Sequence, residues 1–174
     1  MNDRALVELV DAEGNAVGAC TVREAHSPPG RLHRAFSVLL FDSGGRVLMQ
    51  QRALTKSRFA GRWTNTCCSH PAPGEDVIEA AHRRLGEELG LRATELREVG
   101  RFVYRAADPD GGAVEHEFDH VLVGECTGRQ TPMPAAGEVH GVRWMTPHEV
   151  RDGLNQDPDR HSPWLSGVLK FTFG

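Results

Sequence analysis

Residues 75–90 read EDVIEAAHRRLGEELG. Ile78, Ala81, Leu85 and Leu89 recur at the three- and four-residue spacing of a helix and form one apolar stripe, while Arg83, Arg84, Glu87 and Glu88 crowd the polar side. Glu75 and Asp76 complement the positive end of a helix dipole and Gly90 supplies a stop, so the pattern predicts a helix over 75–89. Glu87 follows Arg83 by four residues and Glu88 follows Arg84 by four, so each pair can meet on the surface. On its own such a face reads as a solvated, salt-bridged one. The same residue types would also suit a diphosphate and its metal, because guanidinium groups bind phosphate oxygens and carboxylates hold Mg2+.

Outward from this helix, strands dominate. Residues 5–10 and 16–22 read as short strands around the turn AEGN, followed by a proline-containing loop over 23–32. Residues 33–41 and 46–52 flank the turn DSGG and read as a hairpin. A basic loop, 53–61, leads into an extended segment that runs to Pro71. Further strands are expected near 98–106 and 114–124, separated by DPDGG, and over 139–145. Thr146-Pro147-His148-Glu149 carries a cap, a first-turn proline and a glutamate three after the cap, and a short helix is expected after Ser162-Pro163. The order predicts an α+β fold, a mixed β-sheet sandwiched by helices in a single domain spanning 1–174.

The 174 residues, 39% of them hydrophobic, suit one domain with a real core. A net charge of −4 offers no basic footprint for nucleic acid. No apolar run approaches the roughly 18–20 residues of a membrane span, and MNDRALVELVDAEG lacks the basic and apolar regions of a secretory signal. The four cysteines form no CxxC pair, which fits a reducing cytoplasm. The modest size and the lack of an interface stripe favour a monomer.

Within TNTCCSHP (64–71), Cys67 and Cys68 should point to opposite faces of extended chain, with Cys68 on the side of His70. Both could be buried apolar residues. Alternatively, one could be a thiol whose pKa is lowered by cationic neighbours and which acts as nucleophile or acid/base. In VEHEFDH, Glu115 and Glu117 lie two apart and should project from one face. With His26, His33 and His70 they would make a five-ligand site for Mn2+, Mg2+ or Zn2+ if they converge; scattered surface groups are the other reading.

Laid over 69–91, the sequence resembles the Nudix box, G-x5-E-x7-R-E-U-x-E-E-x-G-U, where U is aliphatic. Glu75, Arg83, Leu85, Glu87, Glu88, Gly90 and Leu91 match; Ser69 replaces the first glycine and Arg84 replaces a glutamate. The arginine puts positive charge where a hydrolase would hold metal, leaving diphosphate binding plausible. Together with AHSPPGRLHRAFSVLLF (25–41), QQRALTKSRFAGRWTNTCCSHP (50–71), RFVYRAADPDGGAVEHE (101–117) and HSPWLS (161–166), the chain resembles type I isopentenyl-diphosphate isomerases over most of its length. The resemblance implies a Nudix-like fold and an isoprenoid diphosphate as small-molecule substrate. It implies Cys68 and Glu117 as acid/base groups with Tyr104 beside the glutamate. Trp164 would be an aromatic wall, and Arg52, Lys56, Arg83 and Arg84 diphosphate partners. It also implies metal binding by His26, His33, His70, Glu115 and Glu117, with Glu88 positioning a diphosphate-bound Mg2+. The family often has a lysine where Val22 stands here, and Arg23 is its neighbour. Two rivals are a Nudix-type diphosphate hydrolase, which has no use for CCSH, and a zinc-stabilised binding module, which would unfold without metal.

Overall fold

The strand β3 (His33–Phe41) is buried on both faces over nearly its whole length, and the sheet is organised around it. The structure, a computed structural model, describes residues 3–126 and 130–174. Among these, β1 (Leu6–Val10) and β2 (Ala16–Thr21) form an antiparallel pair that touches β3 at Leu9 opposite His33. The other side of β3 carries β8 (Val114–Glu125), parallel to it from His33 opposite Glu117 to Phe41 opposite Glu125. β8 in turn pairs antiparallel with β7 (Arg97–Ala107). β4 (Val47–Arg52) pairs with β9 (Val139–Met145) and with the short β5 (Trp63–Thr64). The result is one mixed sheet.

The expected hairpin over 33–52 is made only at its tip. β3 and β4 meet at Phe41 opposite Val47 and then diverge, and β6 (Cys67–Ser69) pairs with β3 in the gap. The polar residues of TNT close that gap. Thr66 Oγ1 accepts from Leu40 N–H (2.9 Å) and donates to Leu48 C=O (2.6 Å), so one hydroxyl bridges the two diverging strands. Asn65 Nδ2 donates to the carbonyls of Val38 and Cys67, and Gln50 Nε2 donates to that of Thr66. Buried backbone groups must find partners, and these side chains supply them.

α2 (Val77–Leu89) begins two residues later than its charge pattern suggests. Asp76 is the N-cap, accepting from Ile78 and Glu79, and Gly90 ends the helix in the left-handed conformation. Its stripe of Ala81, Leu85 and Leu89 packs on Phe36, Val38, Leu40, Cys67 and Leu122 from one face of the sheet. The other face is covered by α3 (Pro147–Gln156) and α4 (Leu165–Phe173), where Val150, Leu165 and Leu169 meet Leu39, Val47 and Met49. α3 starts on the expected capping box of Thr146 and Glu149. The loop expected over 23–32 instead opens with a short helix, α1 (Val22–His26), which a second capping box starts with Thr21 and Glu24.

Candidate functional site

Register places the site. Tyr104 of β7, Glu117 of β8 and His33 of β3 stand in one row across the sheet, and Ser37 of β3 stands opposite Cys68 of β6. Because Cys67 and Cys68 alternate, Cys67 enters the core beneath α2, fully buried. Cys68 faces the α4 side, beside Trp164 and Tyr104.

Ligand atoms of His26, His33, His70, Glu115 and Glu117 all lie within 4.8 Å of one another, so these five residues converge. His26 Nδ1 faces Val22 C=O and His33 Nδ1 faces Arg31 C=O, each at 2.7 Å. With Nδ1–H so engaged, Nε2 of both rings points inward. His26 Nε2 lies 2.8 Å from Glu115 Oε2 and His33 Nε2 3.6 Å from Glu117 Oε1, so imidazole and carboxylate atoms face one another in a buried cluster, as expected of ligands prepared for a cation. Such a donor set fits a divalent metal. His70 Nε2 meets Glu117 Oε1 at 2.8 Å, and Tyr104 O–H donates to Glu117 Oε2 at 2.5 Å. Burial raises the Glu117 carboxyl, but hydrogen bonds from His33 and His70 prevail and hold it well below the usual carboxylate range. Burial, helped by the charge of the neighbouring imidazoles, pushes His70 down to about 3. His33 goes the other way: against the burial penalty, Glu117 raises it above its ordinary value. Tyr104 is driven well up by burial and then by Glu117, so it keeps its proton.

On the opposite wall, Cys68 S–H points to Asn65 Oδ1 (3.0 Å), and the indole Nε1–H of Trp164 reaches Cys68 Sγ (3.1 Å). Arginine does lie near, yet the alternative of a thiol pKa lowered by cationic neighbours is not what results. Burial, followed by the charge of Asp119, pushes Cys68 up to about 12, outweighing Arg52. Arg52, Lys56, Cys68, Tyr104, Glu117 and Trp164 line a single cavity of ≈ 30 Å3.

The arginines of α2 sit elsewhere. Arg83 pairs with Glu75 (2.9 Å) and Glu87 (3.3 Å) and lines a separate, larger cavity with Arg84. Arg84 is nearly buried between Glu87 (2.6 Å), Glu88 (2.6 Å) and Glu138 (3.4 Å). Glu88 is 2% exposed and belongs to this ion network, outside the five-residue cluster. Lys56 bonds Glu138 on the cavity side; burial raises that carboxyl, but Lys56 overrides it and holds it at about 2. Arg52 spends two nitrogens on the carbonyls of Phe59 and Arg58 and lies 5.3 Å from the Trp164 ring centre. Val22 is fully buried, whereas Arg23 lines a cavity beside His26.

Three residues at the site went unread in the sequence. Arg58 lines the cavity 3.5 Å from Glu115 Oε1. Asn65 fixes the thiol. Asp119 is fully buried and accepts from Ser37 Oγ at 2.7 Å. The period of two that pairs Glu115 with Glu117 extends to Asp119, so the signal for it was present.

The NUDIX domain family matches residues 31–165 of the chain. A Nocardia farcinica protein named isopentenyl-diphosphate Delta-isomerase is 60% identical over 94% of this chain and 92% of its own length. A Serratia proteamaculans protein of the same name is 45% identical over 93% and 88%. Among solved structures, one from Deinococcus radiodurans matches with a TM-score of 0.75 over 95% of this chain and 97% of its own, at 20% identity, a likeness of fold.

Proposed function

The chain belongs to the Nudix family, among its isopentenyl-diphosphate Delta-isomerases, and on that premise we propose that it interconverts isopentenyl and dimethylallyl diphosphate. The observation that carries the reading is one cavity faced by a thiol, a carboxylate bonded to a tyrosine, and an indole.

Moving the double bond needs one proton added and another removed. An alkene is a poor base, so the donor must be held close and away from water. In the forward direction Glu117, backed by Tyr104, gives a proton to the terminal carbon. The resulting tertiary carbocation lies against the Trp164 face, an interaction worth roughly 0.5–2 kcal/mol. Cys68 then takes the proton from C2, restoring an alkene, and the reverse direction exchanges the roles. Forward turnover ends with the proton on sulfur and the carboxylate ionised. That is the resting state favoured by a thiol near 12 and a depressed Glu117. The proton must therefore return to Glu117 before the next forward turnover.

His26, His33, His70, Glu115 and Glu117 would hold Mn2+, Mg2+ or Zn2+, and a bound cation makes a nearby acid stronger and fixes it in place. Arg52 and Lys56 face the cavity where a diphosphate would lie; Arg83, Arg84 and a Mg2+ positioned by Glu88 would reach it only after their ion pairs open. We place the enzyme in the cytoplasm as a monomer; among the described residues no helix is long and apolar enough to cross a membrane.

The test is proton NMR of isopentenyl diphosphate with the protein and Mg2+ in D2O. Dimethylallyl diphosphate carrying deuterium is the expected product. Released phosphate or diphosphate with no isomer would replace this reading with the hydrolase one. An unchanged substrate with Mg2+, Mn2+ and Zn2+ supplied in turn would end it.

A further inference from the structure

Phe59 has a backbone that its residue type resists. Its φ is +46°, in the left-handed region, where a non-glycine residue is uncommon and a bulky one strained. Glycine would adopt this conformation freely, and Gly61, two residues on, does so at φ +71°. A strained conformation persists where its surroundings over-determine it, and here they do. The N–H of Phe59 donates to Asp108 Oδ2 at 3.0 Å, and its carbonyl accepts from Arg52 Nε at 3.0 Å. One anchor comes from the β7–β8 turn and the other from β4. Both charged residues are more than nine-tenths buried, Asp108 at 5% exposure and Arg52 at 8%.

These anchors deliver a ring. Phe59 is 3% exposed, and its ring stands perpendicular to the Trp164 indole, with centroids 5.5 Å apart. The indole is the junction of the site. Its Nε1–H is shared between Cys68 Sγ (3.1 Å) and Asn65 Oδ1 (3.3 Å), Arg52 lies over it, and Tyr104 is tilted against it at 5.9 Å. Trp164 itself is the residue that caps α4, so its ring projects from a helix end and needs lateral support to keep one orientation. Small rotations of the ring would carry Nε1 out of reach of the thiol.

We propose that Phe59 is a positioning residue that fixes the tilt of the Trp164 indole and, through it, the aim of the indole N–H at Cys68. This rests on the assignment of Cys68 and Trp164 to the isomerisation. Leucine has the same intolerance of positive φ as phenylalanine, so Phe59→Leu removes the ring while leaving the backbone problem unchanged; Phe59→Met serves if that variant fails to fold. Expected in Phe59→Leu is a kcat lowered about 10- to 100-fold with KM within about threefold. Cys68, located by peptide mass spectrometry, should be alkylated roughly fivefold faster or more, because its cover has loosened. In a Trp164→Phe background the same substitution should change kcat by less than about twofold, since the group it positions is gone.

Additive effects in that cycle would overturn the inference. So would an unchanged alkylation rate, or a loss of thermal stability with kcat intact. Absence of isomerase activity in the unaltered protein sinks the proposed function instead. The alkylation readout still judges Phe59 in that case, because it needs no turnover.

Discussion

At the scale of single residues, two adjacent cysteines make opposite predictions. Cys67 is fully buried among Phe36, Leu85 and Leu122 and faces no cavity. Cys67→Ala should cost stability, roughly 1–2 kcal/mol for the lost sulfur and the space it leaves, and spare kcat. Cys68→Ala removes a proton-transfer group that is hydrogen-bonded to Asn65 and Trp164 but carries little of the core. Its turnover should fall about 10²- to 10⁴-fold while the denaturation midpoint stays close to that of the parent. Kinetics and urea melts on the pair decide the matter: an active Cys68→Ala, or an inactive but stable Cys67→Ala, would show that the wrong thiol has been chosen. In the sequence, alternation put Cys68 on the side of His70, and the family resemblance singled it out as the acid/base thiol. Neither could supply the protonation state of the thiol. Of the two readings left open, a thiol lowered by cationic neighbours is not what results: burial raises it to about 12.

At the scale of elements, the region that sequence reading simplified is where the site is built. The segments before and after DSGG read as two strands and a turn, and all three exist. Strand character says nothing of whether the strands stay together beyond the turn. They part because β6 pairs with β3 in the opening, and that insertion brings Cys68 opposite Ser37. The cost of parting two buried strands falls on their backbone, and Thr66 carries much of it by bonding both Leu40 N–H and Leu48 C=O. Thr66→Val keeps the shape and removes both bonds, leaving a buried donor and a buried acceptor. Urea denaturation should show a loss of about 2–4 kcal/mol, well above the ordinary effect of losing one hydroxyl. A loss under about 1 kcal/mol would mean that β3 and β4 are not held apart in this way. The short helix α1 was legible by the same chemistry: Thr21 and Glu24 form a capping box as readable as that of Thr146 and Glu149, but the prolines that follow drew attention to a loop.

At the scale of the whole molecule, the five residues that could hold a metal come together from α1, β3, β8 and the segment after β6. Their residue types were visible in the sequence, but their convergence was not, because it depends on the parallel β3–β8 register that sets His33 beside Glu117. That convergence gives a prediction with a definite sign. His33 has a folded-state pKa above its ordinary value, held up by Glu117. In metal-free protein this contact contributes stability that is complete on the acid side and is lost as pH rises through the raised value. A metal has the opposite preference, because it needs an unprotonated imidazole and competes with the proton for His33. His70, pushed down to about 3, and Glu117, held ionised, offer no such competition near neutrality. Mn2+ should therefore raise the melting temperature more at pH 8 than at pH 6, its affinity falling as His33 takes its proton. Calorimetric titration and thermal melts with and without chelator measure both. The chelated protein should remain folded at both pH values, as a sheet with its own buried core requires. Unfolding on chelation would make the metal the main support of the fold and favour the zinc-stabilised module. A Mn2+ stabilisation that is flat or shrinks toward pH 8 would remove His33 from the ligand set.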